Sequence, residues 1–208
     1  MALFKKLKDA IGSTDGELLA SGIPAWGAIQ GVQLNGTQVT IGVDQYRVCT
    51  FTVEVRLDGE TPYRATVRQR VHELALARLD TAGAVCVKVD PSDRSRIALD
   101  LDSPPPVVRV PAPAPGTGRA AIVERGTDCE VVIVGHQPIG LRSHEGDDIH
   151  GFVLTVVPSD GAPYQAQVGL PLPPAALPLV FPGSRLPARV LPEEPGSVAI
   201  LWESVAVA

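Results

Sequence analysis

One stretch of this chain is present twice, and that duplication constrains the fold more than any other feature. Phe51-Thr-Val-Glu-Val-Arg-Leu-Asp-Gly-Glu-Thr-Pro-Tyr63-Arg-Ala-Thr-Val67 has the same order of features as Phe152-Val-Leu-Thr-Val-Val-Pro-Ser-Asp-Gly-Ala-Pro-Tyr164-Gln-Ala-Gln-Val168. The segments downstream also match. Val85, Val87, Val89 and Pro91 answer to Leu186, Ala188, Val190 and Pro192, and Ile97 and Leu99 to Val198 and Ile200. Two copies of this size read as two small autonomous domains, since a solenoid needs three or more short units. A site that belongs to the shared unit is present in both copies, and one found in a single copy is a later specialisation.

Each copy reads as β structure. Phe51, Val53, Val55 and Leu57 alternate with Thr52, Glu54 and Arg56, and Tyr63, Ala65 and Val67 alternate with Arg64, Thr66 and Arg68. A period of two is the signature of strands with one buried face. Pairing Leu57 with Tyr63, Val55 with Ala65 and Val53 with Val67 keeps every apolar residue on one side, which predicts an antiparallel hairpin in that register. Upstream, 28–33 and 38–43 read as two strands joined at Asn35-Gly36, a strong hairpin signal. Val85 to Val89 and the segment from Ile97 give two more strands. Helical spacing occurs only near Val71, Leu74, Ala75 and Leu79.

Five strands with a short helix before the fourth predict an all-β fold: two tandem small antiparallel barrels, OB-like or a related Greek-key type. Aromatic residues make up only 4% of the chain, so Val, Leu, Ile and Ala must fill the cores. The expected organisation is an amphipathic helix over 1–15, one barrel over 17–102, a proline-rich extended linker over 103–118 and a second barrel over 119–205.

The start Leu3-Phe4-Lys5-Lys6-Leu7-Lys8, the pairs Asp58-Gly59 and Pro62-Tyr63, and Val87-Lys88-Val89-Asp90-Pro91 leading to Ile97-Ala98-Leu99 carry a resemblance. The chain resembles uncharacterised actinobacterial proteins with a short Lys-rich amphipathic N-terminus followed by small β-domains. The second copy departs from that pattern, with Leu191 where the first has Asp90. The resemblance implies the tandem β organisation and no activity.

Candidate surfaces are few. Leu3, Phe4, Leu7 and Ile11 lie at helical spacing among lysines and form a candidate face for docking on the chain itself, on a partner or on a membrane. His144, Asp148 and His150 sit in a short acidic stretch whose side chains can ligate a divalent metal, although the spacing matches no known tight site and the first copy lacks an equivalent. His72 and His136 read as ordinary surface or turn histidines. Arg56, Arg64, Arg68 and Arg70 share the outward face of the predicted hairpin, a basic patch without an aromatic among them. With a net charge of -5 there is no general attraction to nucleic acid.

No phosphate loop, nucleophile elbow or zinc-spaced cysteine set is present. Cys49, Cys86 and Cys129 are odd in number and read as reduced, structural thiols. No stretch approaches the roughly 20 apolar residues of a membrane span, and Met1 to Lys8 lacks a signal-peptide core. The expectation is therefore a cytoplasmic, non-enzymatic binding or scaffold protein with no cofactor. It would present two related surfaces to a protein assembly. The alternative is a peripheral membrane or cell-envelope adaptor that uses the N-terminal helix.

Overall fold

The alternating segments do form strands, and the two copies build them in the same order. The computed structural model describes residues 15–42, 44–79 and 83–205. The candidate docking residues Leu3, Phe4, Leu7 and Ile11 lie outside the described residues. The chain divides into two units, Met1–Val108 and Arg109–Ala208.

The first unit opens with a short helix, α1 (Gly16–Ser21), whose first turn is capped by the Asp15 carboxylate accepting from Leu18 N–H at 3.2 Å. Its strands are β1 (Ile23–Ile41), β2 (Asp44–Arg56), β3 (Tyr63–His72), β4 (Ala84–Val89) and β5 (Ile97–Asp100), with helix α2 (Glu73–Arg78) between β3 and β4. They form one antiparallel sheet in the order β3-β2-β1-β4-β5.

The second unit begins within the two-residue strand β6 (Val108–Arg109), followed by helix α3 (Gly118–Arg125). Its main strands are β7 (Thr127–Arg142), β8 (Asp148–Pro158), β9 (Tyr164–Leu172), β10 (Arg185–Leu191) and β11 (Glu194–Ile200). Their order, β9-β8-β7-β10-β11, repeats that of the first unit strand for strand. A 3₁₀ turn, Pro174–Leu179, stands where α2 stands in the first copy. The expected linker therefore contributes a short strand and the first residue of α3.

The correspondence extends to irregularities. The β1–β2 ladder slips between Ile29 and Gly31, and the β7–β8 ladder slips between Ile133 and Gly135. Beyond this bulge Val32 faces Phe51 in one copy and His136 faces Phe152 in the other. Each core is a cluster of the inward positions. Ile29, Phe51, Val53, Val55, Val87 and Leu99 are at most 1% exposed in the first, as are Ile133, Phe152, Leu154, Val156 and Ile200 in the second.

Two expectations are corrected. The β2–β3 register is Val55 with Tyr63, Val53 with Ala65 and Phe51 with Val67, two residues away from the pairing predicted. The faces stay the same because side-chain parity is preserved by a two-residue shift. Leu57 is released into the turn, where its carbonyl accepts from Glu60 N–H at 3.1 Å and Gly59 takes φ +73°. Asn35-Gly36 is likewise no hairpin. Gly36 does have φ +70°, but the chain continues in β1, with a second register break between Leu34 and Gln38. The reversal comes later, after Ile41, next to Gly42 with φ +64°.

The sheets are not closed into barrels by backbone ladders: among the described residues none joins β3 to β5 or β9 to β11. Side chains bridge these seams instead. In the first unit the buried Gln69 carboxamide on β3 donates to Leu99 carbonyl at 2.8 Å and accepts from Leu99 N–H at 2.9 Å on β5. It occupies both hydrogen-bonding positions that a neighbouring strand would fill. In the second, Tyr164 hydroxyl donates to Pro195 carbonyl at 3.0 Å and Trp202 Nε1 donates to Pro171 carbonyl at 3.2 Å. Both links span 31 residues, so β9 and β11 run in the same direction along the seam.

Candidate functional site

Between its two clasps the second unit's seam widens into a groove. The floor and walls come from Gln167–Pro171 of β9 and Gly196–Val198 of β11, with α3, the Val110–Pro113 segment and the β7–β8 turn around them. Its volume is about 770 Å³. Pro111, Pro113, Ile122, Val168, Leu170 and Val198 make it chiefly apolar, and Arg119, Gln167 and Ser197 add polar groups. This is the composition of a binding cleft: apolar area for affinity and a few polar groups for orientation.

Local sequence explains how the groove is held. Val110 N–H donates to Arg142 carbonyl at 2.8 Å, which fixes the proline-rich segment along its rim. Gly118 opens α3 with φ +68°, packed so close to Pro113 that a Cβ there would lie 3.1 Å from the proline Cβ. Arg119 then reaches Ile200 carbonyl at 3.2 Å and Glu203 carboxylate at 2.8 and 2.9 Å, anchoring the helix over β11. Position 170 is Leu where the first copy has Gln69. Among the described residues no carboxamide bridges this seam, and the space stays open.

A second cluster lies on the inner face of β7 and β8, beyond Phe152. His136 Nδ1 and His150 Nδ1 are 2.8 Å apart, and His136 Nε2 is 2.9 Å from Val180 carbonyl. A carbonyl only accepts, so His136 carries its proton on Nε2 and offers a lone pair at Nδ1. His150 donates to that lone pair. The His136 ring stacks on Phe152 with centroids 5.3 Å apart, and Phe152 meets Trp202 at 6.3 Å. Burial lowers the His150 pKa and the neighbouring His136 adds to that, against a smaller opposing effect of Asp148.

The sequence-level metal candidates are not gathered. Asp148 is bound by Arg142 Nε at 2.8 Å, and His144 lies 3.9 Å from its neighbour Glu145. His150 turns inward to His136 instead. Among the described residues no group of three or more His, Cys, Asp or Glu is placed to hold a metal ion. His136 is thus not an ordinary surface residue. His72 lies in the turn from β3 into α2, where its Nδ1 accepts from Leu74 N–H at 3.1 Å.

Arg56, Arg64, Arg68 and Arg70 lie at the even positions of β2 and β3, and aromatic rings lie among them. Arg56 stands 5.7 Å over the Trp26 ring and Arg70 stands 5.4 Å over Tyr46. Arg56 also binds Glu54 Oε1 at 2.6 and 2.9 Å, and Glu54 lies opposite Arg64 in the ladder, with Arg68 opposite Thr50. The guanidinium of Arg56 is already neutralised by that carboxylate.

The apolar run Leu170 to Phe181 divides between core and surface. Leu172, Ala176 and Val180 are buried, while Leu177 is 55% and Phe181 60% exposed. Burial raises the thiol pKa values of Cys49, Cys86 and Cys129, which is the reverse of nucleophile activation. Among the described residues no helix is long and apolar enough to cross a membrane. No family model matches the chain, and no curated protein or solved structure matches it.

Proposed function

We propose that the chain is a non-catalytic binding protein of the cytoplasm, built from two OB-like barrels whose seams are held by side chains. The second barrel receives an extended apolar segment of a protein partner. The groove between β9 and β11 carries this reading. Its two flanking strands are sheet edges, and strand edges beside apolar pockets accept extended peptides by main-chain pairing and side-chain docking. The shared strand order supports the common barrel type, with β4 beside β1 and β5 returning towards β3. The first unit closes the same seam with Gln69, so it serves as the framework partner of the pair.

A photo-crosslinking residue at exposed Gln167 tests this in the cells of origin. The expected result is a discrete crosslinked protein, absent when the same residue is placed at Asp160 in the exposed β8–β9 turn. Val168→Glu in the groove should abolish that product. Equal labelling at both positions, or no product at Gln167, overturns the proposal.

A further inference from the structure

We propose that His136 and His150 form a two-imidazole site for a tetragonal divalent cation, copper(II) in the first instance, with water completing the coordination. This site is separate from the groove and does not rest on it.

The separation of the two Nδ1 atoms is the first argument. Two nitrogens at cis positions of a square-planar ion, each about 2.0 Å from the metal, lie about 2.8 Å apart. That is the distance found between these two atoms, 2.8 Å. The two atoms now share a hydrogen bond along that line, so binding breaks it and both rings turn until their lone pairs converge on one point beside the pair. A tetrahedral ion demands a wider spacing of about 3.3 Å at the same bond length, which disfavours zinc.

The second argument is the support around the site. Metal-bound histidines as a rule donate their other ring N–H to a carbonyl or carboxylate, which fixes the tautomer and the ring. Val180 carbonyl plays that part for His136 at 2.9 Å, and Phe152 stacks against the same ring. His136 therefore already carries its proton on Nε2, and its Nδ1 lone pair, which now accepts from His150, needs no change of tautomer to bind an ion. For His150 the proton on Nδ1 moves through solvent to Nε2 as the ion binds. Both rings stay neutral, no oxidation change occurs, and the site gains the full charge of the ion.

The third argument comes from the duplication. The ladder positions of His136 and His150 are occupied in the first unit by Val32 and Cys49. The fold thus needs no imidazole at either place, and the pair is particular to the second unit.

Copper(II) chloride titrated into the full chain tests the site by electron paramagnetic resonance and by thermal unfolding. The spectrum should show two coordinated imidazole nitrogens. At an ion concentration about a hundred times Kd, the Tm reported by Trp202 in a Trp26→Phe background should rise by more than about 5 °C. His136→Val and His150→Val, which place an apolar side chain of the kind the first unit carries, should each remove one nitrogen from the spectrum and abolish the rise. His72→Ala and His144→Ala should change neither. A spectrum indifferent to His136→Val or His150→Val overturns the proposal, and so does a Tm unmoved by copper. Failure at Gln167 crosslinking leaves this result untouched, because the two tests share no residue.

Discussion

Removing the Gln69 carboxamide should destabilise the first unit by an amount that the seam geometry sets. Gln69 is 5% exposed and Leu99 is 1% exposed, so water cannot readily replace the two bonds between them. Gln69→Ala leaves Leu99 N–H and C=O unpaired at a cost of about 1–3 kcal/mol each, about 2–6 kcal/mol together. That is a large share of the 5–15 kcal/mol typical of a domain. Gln69→Glu makes the argument sharper. An ionised carboxylate still accepts from Leu99 N–H but turns a second oxygen towards Leu99 carbonyl. A protonated one restores the donor and with it both bonds. The folded-state pKa of the new Glu is therefore raised above its unfolded value of about 4.3. Its stabilising contribution is present at pH 4.5 and lost as the pH rises through the folded pKa.

The assay is urea unfolding followed by tryptophan fluorescence. The chain has two tryptophans, Trp26 in the first unit and Trp202 in the second, so Trp202→Phe leaves a reporter for the first unit alone. The reasoning is refuted if Gln69→Ala costs less than about 0.5 kcal/mol. It is equally refuted if Gln69→Glu shows the same deficit at pH 4.5 and pH 7.

Three further outcomes follow from the same packing. A Cβ at Gly27 would lie 2.4 Å from Val87 Cγ2 and 3.1 Å from Val53 Cγ1, so Gly27→Ala should cost about 1–3 kcal/mol by urea unfolding. Pairing it with Val87→Ala should recover part of that loss, since the second unit combines Val131 with Ala188 at the same places. Asp90, bound by Ser92 N–H and Oγ at 2.8 and 2.6 Å and by Arg96 at 2.7 Å, has its pKa lowered to about 2, chiefly by the Ser92 side-chain bond. A lowered carboxylate stabilises the fold above its unfolded value of about 3.8 and loses that contribution as the pH falls towards 2. Acid should therefore weaken the Trp26 transition over that range, and Asp90→Asn should flatten the dependence. Cys49 and Cys86, buried and with raised pKa values, should react with a disulfide reagent at the rate of unfolding in a stopped-flow assay at pH 7.5.

The duplication and the strand faces were legible in the sequence because side-chain parity is a local property. Phe51, Val53 and Val55 declare their inward face by alternation alone. Register is not local in that sense. Sliding β3 by two residues keeps every face and changes every partner, and only the turn at Leu57–Gly59 decides between the alternatives. Asn35-Gly36 misled for a related reason: positive φ at a glycine serves a mid-strand irregularity as well as a reversal. The histidine pair could not be read at all. His136 and His150 meet only because the bulge between Ile133 and Gly135 sets the parity of the stretch from Gly135 to Pro138, before the ladder shifts again. Trp26 joined the basic face unannounced, since its partner Arg56 is settled by the β1–β2 ladder. The groove was equally invisible, being a space between two edges that are far apart in the chain.

The seams also set how each unit opens. A ladder of backbone bonds resists parting because its rungs must break together, whereas a seam held by one carboxamide, or by a tyrosine and a tryptophan, can be unbuttoned one side chain at a time. Such a parting leaves every rung of the five-stranded sheet intact and makes the fold breathe along a line built into its architecture. In the second unit the fasteners sit at the two ends with an apolar gap between them, so that line can open between them without breaking the sheet.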